Sequence, residues 1–437
     1  MELLTRLRGD KVIWSFVALL ALFSFMPVFS ASSNLAFAGQ GTGNTIGYLA
    51  KHLAHVLIGF CMIYWVHKIP YHYFRGLSMI ALPIVWILLA YTLFKGTIID
   101  GANASRWIEV PFIGMTFQTS TLASIVLMVF VARYLSKKKE NPVTLQSSLL
   151  ELWCPVFITL MFILPANFST AALMFSMVVM LAFIGRYPLK YIGVVVGAGI
   201  MALIFFIVVV KAFPDAFPNR VDTWMSRIDN FTTDKPGEDD YQIEKAKIAI
   251  ASGGIYGLGP GKSVQKNFLP QSSSDFIYAI IVEEYGLIGG LGVMALYLLL
   301  FFRFIVAAHK ANSLFGKLLV VGLGFPIIFQ ALINMAVAVE LLPVTGQTLP
   351  LISSGGSSVW MTCIALGIII GVTKKDEEIA EEIAEKRSRE EILQRMIDAQ
   401  IRREEEAEAA LRAQEAGLVP DYSIEDKSNP MNAVIGK

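Results

Sequence analysis

Long apolar runs alternate with short polar breaks along this chain, and that rhythm sets the expected architecture. A helix needs about 20 consecutive apolar residues to cross a bilayer. Ten runs meet that need, near residues 12–30, 47–66, 76–94, 117–134, 148–164, 169–185, 190–212, 276–305, 317–339 and 350–372. The pattern predicts an all-α polytopic membrane protein of ten transmembrane helices. A large outer loop, about residues 212–275, separates the seventh from the eighth. The membrane domain spans 1–373, and 374–437 form a polar tail. Composition agrees: 55% of the 437 residues are hydrophobic and 16% are charged, well below the roughly 25% of soluble domains.

The polar breaks also orient the chain. Cytoplasmic loops are enriched in Lys and Arg. Arg6, Arg8 and Lys11 precede the first run, and alternate breaks carry Lys68 and Arg75, Lys137 to Lys139, Arg186 and Lys190, then Arg303, Lys310 and Lys317. Lys374 and Lys375 follow the last. Ten spans with both termini cytoplasmic place every cluster on one side. The start also carries a leader-like pattern, basic residues before an apolar run and an A-x-A in "LAFAGQ". The run from Val12 to Phe29 exceeds a leader's apolar core and more spans follow, so it reads as the first span.

Charge is divided unevenly. From Lys374 onward there are 11 basic and 17 acidic residues, net −6, against 25 and 18, net +7, before it. The tail is rich in helix formers with i,i+4 charge pairs and reads as a solvated helix to about residue 416, then disordered. Cys61, Cys154 and Cys363 lie in apolar runs with neither metal nor disulfide spacing. The five histidines, His52, His55, His67, His72 and His309, are read as lying in or near the inner-side segments, without an evident site. There is no phosphate-binding glycine loop, zinc motif or nucleophile elbow, and nothing points to nucleic acid.

Three polar clusters carry candidate chemistry. In "PQSSSDFIYAIIVEEYGLIGG", Asp275 stands where the large loop meets the eighth span. It suits either a helix cap or a base at the outer surface. Glu283 lies about 12 Å further along the helix, beside Glu284. Carboxylates at such depth face a cavity or a partner. In "GANASRWIEVPFIGMTFQTSTLAS", Arg106 is a candidate phosphate clamp and Trp107 an interfacial aromatic. In "NMAVAVELLPVTGQTLPLISSGGSS", prolines and glycines predict non-helical backbone lining a cavity. The outer loop adds Arg220, Lys262 and "SGGIYGLGPGKS".

Together "GANASRWI", "YQIEKAKIAIASGGIYGLGPGKS", "LPQSSSDFIYAIIVEEYGLIGG" and "LLPVTGQTLPLISSGGSS" resemble, in order, the motifs of the SEDS family, which contains FtsW, RodA and SpoVE. The resemblance covers about residues 12–373. "GKSVQKNFLP" and "TGQTLPLIS" are closer to the FtsW branch. It implies a peptidoglycan glycosyltransferase of the cytoplasmic membrane that polymerises lipid II into glycan strands for septal synthesis. It implies a class B penicillin-binding transpeptidase and other divisome membrane proteins as partners. Asp275 falls on the family's essential Asp, with Mg²⁺ or Mn²⁺ held partly by Asp275 as a candidate cofactor. Gln118, Ser120, Ser353, Gly355 and Gly356 join Arg106, Trp107, Arg220, Lys262, Glu283 and Glu284 as expected substrate-binding positions. A lipid II flippase, an elongation-type polymerase and an idle scaffold are the alternatives.

The chain also departs from the family pattern. "QPSE" reads Gln118-Thr119-Ser120-Thr121, and the Lys expected three residues later is Ser124. "PDxGT" reads Ala166-Asn167-Phe168-Ser169-Thr170, and the Tyr of "SYGG" is Ser354. Three charged cavity positions are therefore neutral.

Overall fold

A computed structural model describes residues 8–37, 45–96, 107–110, 115–138, 144–212, 238–374 and 376–415. Its contacts divide into two compact units, 1–374 and 375–437.

The first unit is a helix bundle. In chain order its helices are α1 (Lys11–Phe37), α2 (Thr45–Val66), α3 (His72–Lys95), α4 (Thr119–Lys137), α5 (Leu145–Ile163), α6 (Phe168–Ile184), α7 (Leu189–Ala212), α8 (Glu238–Gly253), α9 (Ile277–Lys310), α10 (Leu314–Ala338) and α11 (Gly356–Val372). Eight of them are long and apolar enough to cross a membrane, and α6 and α11 are shorter apolar helices. Helix α10 is the centre of the packing and touches α4, α6, α9 and α11. Its glycines and branched residues, such as Gly322, Gly324, Val320 and Ile328, are buried. Much of the outside remains apolar. Ile200, Met201, Phe205 and Val208 of α7 are exposed, as expected of a surface solvated by lipid rather than water.

Polar contacts tie one end of the bundle. Asp10 accepts from Arg303 of α9 at 2.7 Å, and its N–H donates to the Thr373 hydroxyl at 2.9 Å. Lys138 pairs with Glu151 at 3.3 Å.

Three local features differ from the sequence expectation. The fourth run does not begin as helix: Trp107–Val110 (β1) and Met115–Gln118 (β2) form an antiparallel hairpin, with Trp107 opposite Gln118, so the fold is not purely helical. The large loop contains α8, which packs on α9. The last run becomes helical only at Gly356, because Pro350 and the left-handed Leu351 (φ 66°) hold the preceding chain in turns.

Helix α9 is broken by design of its backbone. Gly286 has φ 69° and ψ −173°, a conformation open to glycine and strained for other residues. The break frees backbone groups of α9, and the glycine-rich loop takes them up. Leu258 and Gly259 donate to the Glu283 and Glu284 carbonyls, both at 2.9 Å. Leu287 donates back to Gly254 at 2.9 Å and Ile288 to Ile255 at 3.3 Å. The two backbones run so close that a Cβ on Gly257 would lie 2.2 Å from the Glu284 carbonyl oxygen.

The described residues of the second unit form one helix, α12 (Asp376–Glu415). Its side chains bond along the helix surface, as in Gln394 to Asp398 at 3.0 Å and Arg412 to Glu408 at 3.2 Å.

Candidate active site

Asp275 closes the loop that leads into α9. The turn before it is tight: Gln271 is left-handed (φ 57°), and Ser274 and Phe276 both donate to its carbonyl, at 3.0 and 3.2 Å. Phe276, not Asp275, occupies the cap position of α9, and no side chain caps it. Asp275 is half-buried.

The segment between α10 and α11 holds this turn from behind. Ser353 donates to the Ser274 carbonyl at 2.6 Å and accepts from the Leu349 N–H at 2.7 Å. Ser354 N–H donates to the Ser273 carbonyl at 2.9 Å. Asn334, in α10, donates through Nδ2 to the carbonyls of Asp275 (2.6 Å) and Gln347 (2.7 Å). Tyr297 donates to the Pro350 carbonyl. Two motifs about 80 residues apart in sequence thus form one wall. Non-helical backbone inside an apolar bundle survives when its polar groups are met in this way.

Beside that wall lies a cavity of about 110 Å³, bounded by α4, α6, α10, α11 and residues 346–348. Gln118 and Ser120 line it, as expected. So do Thr121 and Ser124, two of the positions where the family's charges are absent. Gln347, Thr348 and Ser358, in the segment expected to line a cavity, do so, and Thr170 and Gln330 join them. They form short hydrogen-bonded chains: Gln347 donates to Thr170 at 3.0 Å, and Gln330 donates to the Thr348 carbonyl at 3.0 Å. Gln330 and Asn334 stand four apart in an apolar helix, one on the cavity and one on the Asp275 turn. Polar residues at i,i+4 spacing inside a span were the available signal.

The other expected positions distribute as follows. Trp107 lies in β1, and β2 is fixed by the Gln118 N–H donating to Ser357 at 3.1 Å. Gly355 caps α11 and Gly356 meets the His55 ring, where a Cβ would come within 3.1 Å. His55 therefore packs beside the "SGG" motif rather than toward the basic end of the bundle, which corrects its expected inner-side placement. Lys262 is exposed on the glycine-rich loop. Arg106 and Arg220 lie outside the described residues.

Glu283 and Glu284 line neither described cavity. Their side chains are 0% and 1% exposed, and they face the glycine-rich loop. Glu283 accepts from the N–H groups of Val264 (2.9 Å) and Gln265 (3.2 Å) and from the Ser263 hydroxyl. Glu284 accepts from the Ser30 hydroxyl and from the Ser263 N–H at 3.3 Å. A buried carboxylate is tolerated when several donors surround it, as they do Glu283; both bonds to Glu284 fall on Oε1, and its Oε2 is buried without a partner. These contacts hold the loop to α9.

The donor set does not suit a metal ion held by the protein alone. Among the described residues there is no group of three His, Cys, Asp or Glu placed to share an ion, and Mg²⁺ requires near-octahedral oxygen ligation.

An apolar helical bundle with eight helices long and apolar enough to cross a membrane defines a multi-pass membrane protein. The family profile described as "Cell cycle protein", for FtsW, RodA and SpoVE, matches residues 10–378, and the chain belongs to that family. A probable peptidoglycan glycosyltransferase FtsW of Nitrosococcus halophilus is 30% identical over 362 residues, covering 81% of this chain and 90% of that protein. Its counterpart in Geobacter sulfurreducens is 32% identical over 377 residues, covering 84% and 96%. Among solved structures, a chain of a peptidoglycan synthase complex superposes with a TM-score of 0.63 at 22% identity, covering 84% of this chain and 97% of that one. Thermus thermophilus RodA gives 0.59 at 22% identity, covering 84% and 98%. These two likenesses concern the fold.

Proposed function

We propose that the chain is a peptidoglycan glycosyltransferase that polymerises lipid II into glycan strands for septal wall synthesis. The observation that carries the reading is Asp275, a half-buried acid on a fixed turn whose backbone is tied through Asn334 to Gln347 of the cavity wall. Family membership and relatives described as peptidoglycan glycosyltransferases support it.

The chemistry follows from one carboxylate. Asp275 takes the proton of the attacking sugar hydroxyl as its oxygen bonds to the anomeric carbon. The bond from that carbon to the lipid diphosphate breaks, and the diphosphate leaves with the electron pair. A cation offsets the charge gathering on it, and Lys262 is the exposed candidate among the described residues. Arg106 and Arg220 remain proposed on sequence grounds. No step is routed through a metal ion.

Topology belongs to the same proposal. The two shorter apolar helices, 17 residues each, reach about 26 Å at 1.5 Å per residue and complete ten spans. Both termini are then cytoplasmic and Asp275 faces outward, the side on which the cell wall is built. A class B transpeptidase and other division proteins are the expected partners, and the tail from 374 is a cytoplasmic helix.

The test is strand synthesis from purified lipid II by the full chain, alone and with its transpeptidase, comparing wild type with Asp275→Asn. Strands from wild type and none from the equally stable variant support the reading. Equal strands from both remove Asp275 from the mechanism. No strands from wild type with its partner remove the polymerase assignment.

A further inference from the structure

The cavity beside Asp275 is lined by uncharged side chains. Among the described residues that line it, none is Asp, Glu, Lys, Arg or His. Its polar groups gather toward one end. Ser120, Thr121 and Ser124 lie in the first two turns of α4, and Thr170 and Ser358 in the first turns of α6 and α11. Gln330 sits in the half of α10 nearest Asn334. Deeper along the same helices come Met128, Met174, Met177, Leu323 and Ala365.

This lining selects by charge. A diphosphate entering it would lose water and find hydroxyls and amides but no cation, and an unpaired charge in such a setting is costly. An uncharged polyol loses less and gains more, because hydroxyls and amides both donate and accept. The thioether floor adapts to methyl groups and apolar ring faces.

Taking the polymerase reading as its basis, we infer that the cavity seats an uncharged, N-acetylated saccharide portion of the substrate and excludes its diphosphate. The diphosphate is then met outside the cavity, on the loop side where Lys262 is exposed. Thr121 and Ser124 become specificity-determining positions by virtue of their neutrality.

The experiment measures equilibrium binding to the full-length protein in nanodiscs. Three probes are used: a long-chain alkyl glycoside of an N-acetylated disaccharide, the matching alkyl alcohol, and a polyprenyl diphosphate without sugar. Wild type should bind the glycoside at least tenfold more tightly than the alcohol. Ser124→Lys should weaken glycoside binding at least tenfold and change diphosphate binding less than threefold, while Ser124→Asn, larger but uncharged, should stay within about threefold of wild type. Should Ser124→Lys fail to fold, Thr121→Ala and Gln330→Leu report on the same site. Each should weaken the glycoside about tenfold and leave the diphosphate unchanged.

Tighter diphosphate binding by Ser124→Lys would place the diphosphate inside the cavity and overturn the inference. Equal binding of glycoside and alcohol would assign the cavity to the lipid chain and also overturn it. Equal losses in Ser124→Lys and Ser124→Asn would make crowding, not charge, the cause and would likewise overturn the inference. The polymerase reading fails separately: wild type would make no strands, yet the glycoside would still bind.

Discussion

Asn334 and Asp275 are 59 residues apart in sequence and meet through one hydrogen bond, from the Asn334 amide to the Asp275 carbonyl at 2.6 Å. The same amide nitrogen donates to the Gln347 carbonyl at 2.7 Å. One buried side chain on the central helix therefore sets the backbone of the proposed base against the cavity wall. Asn334→Leu keeps a similar volume and removes both donors. Each orphaned buried carbonyl costs about 1–3 kcal/mol. We expect strand synthesis to fall at least tenfold in kcat, with a smaller change in KM, because the substrate groups remain and only the base is displaced. Single-turnover synthesis from lipid II checks this, and an unchanged kcat would refute the positioning role.

The buried acid pair leads to a different expectation. Glu283 accepts from two backbone N–H groups and a hydroxyl of the 263–265 segment. Hydrogen bonds to charged groups contribute about 1.5–3 kcal/mol each, so Glu283→Ala should release this segment more than it unfolds the bundle. Limited trypsin digestion should then cut faster at Lys262 and Lys266, at least tenfold, with only a modest loss of melting temperature. Cleavage at the wild-type rate would mean that the acid does not hold the loop.

The glycine contacts on α9 set a stricter limit. Gly257 has φ +84°, and its Cβ would overlap backbone at 2.2 Å. Backbone cannot step aside as a flexible side chain does. Gly257→Ala should therefore abolish strand synthesis and lower folded yield severalfold. Gly261→Ala, also at positive φ (+77°) but with open space around it, should cost only the strain of that conformation, about 1 kcal/mol. Comparing the two by yield and thermal unfolding separates close approach from φ alone.

Much of this was legible in the chain, and the reasons differ by element. Apolar length and turn residues located the spans, because both act locally. "SSSD" and "TGQTLPLISS" were each visible as candidate site segments, but their pairing through Ser353 and Ser354 depends on contacts about 80 residues apart. Glu283 and Glu284 were visible as costly buried charges. Their partners were not, since backbone N–H groups leave no trace in residue type. The hairpin at Trp107–Gln118 was hidden because "MTFQ" continues smoothly into the apolar run of α4. Gln330 was passed over as one polar residue in an apolar helix, although with Asn334 it marks a face.

The tail supports a final prediction. Helix α12 belongs to the second compact unit and carries exposed Ile392, Leu393, Met396, Ile397 and Ile401 among many charged residues. Its bonds, such as Gln400 to Glu404 at 3.2 Å, run within the helix, and exposed pairs of this kind contribute about 0.2–0.5 kcal/mol each. Weak pairs of this kind predict a helix of limited stability in isolation. Truncation after Lys374 should leave the melting temperature of the membrane unit and strand synthesis from lipid II within twofold of wild type. The isolated peptide 376–415 should show partial helicity by circular dichroism that falls on heating without a cooperative step. A loss of synthesis on truncation would instead make the tail part of the catalytic unit.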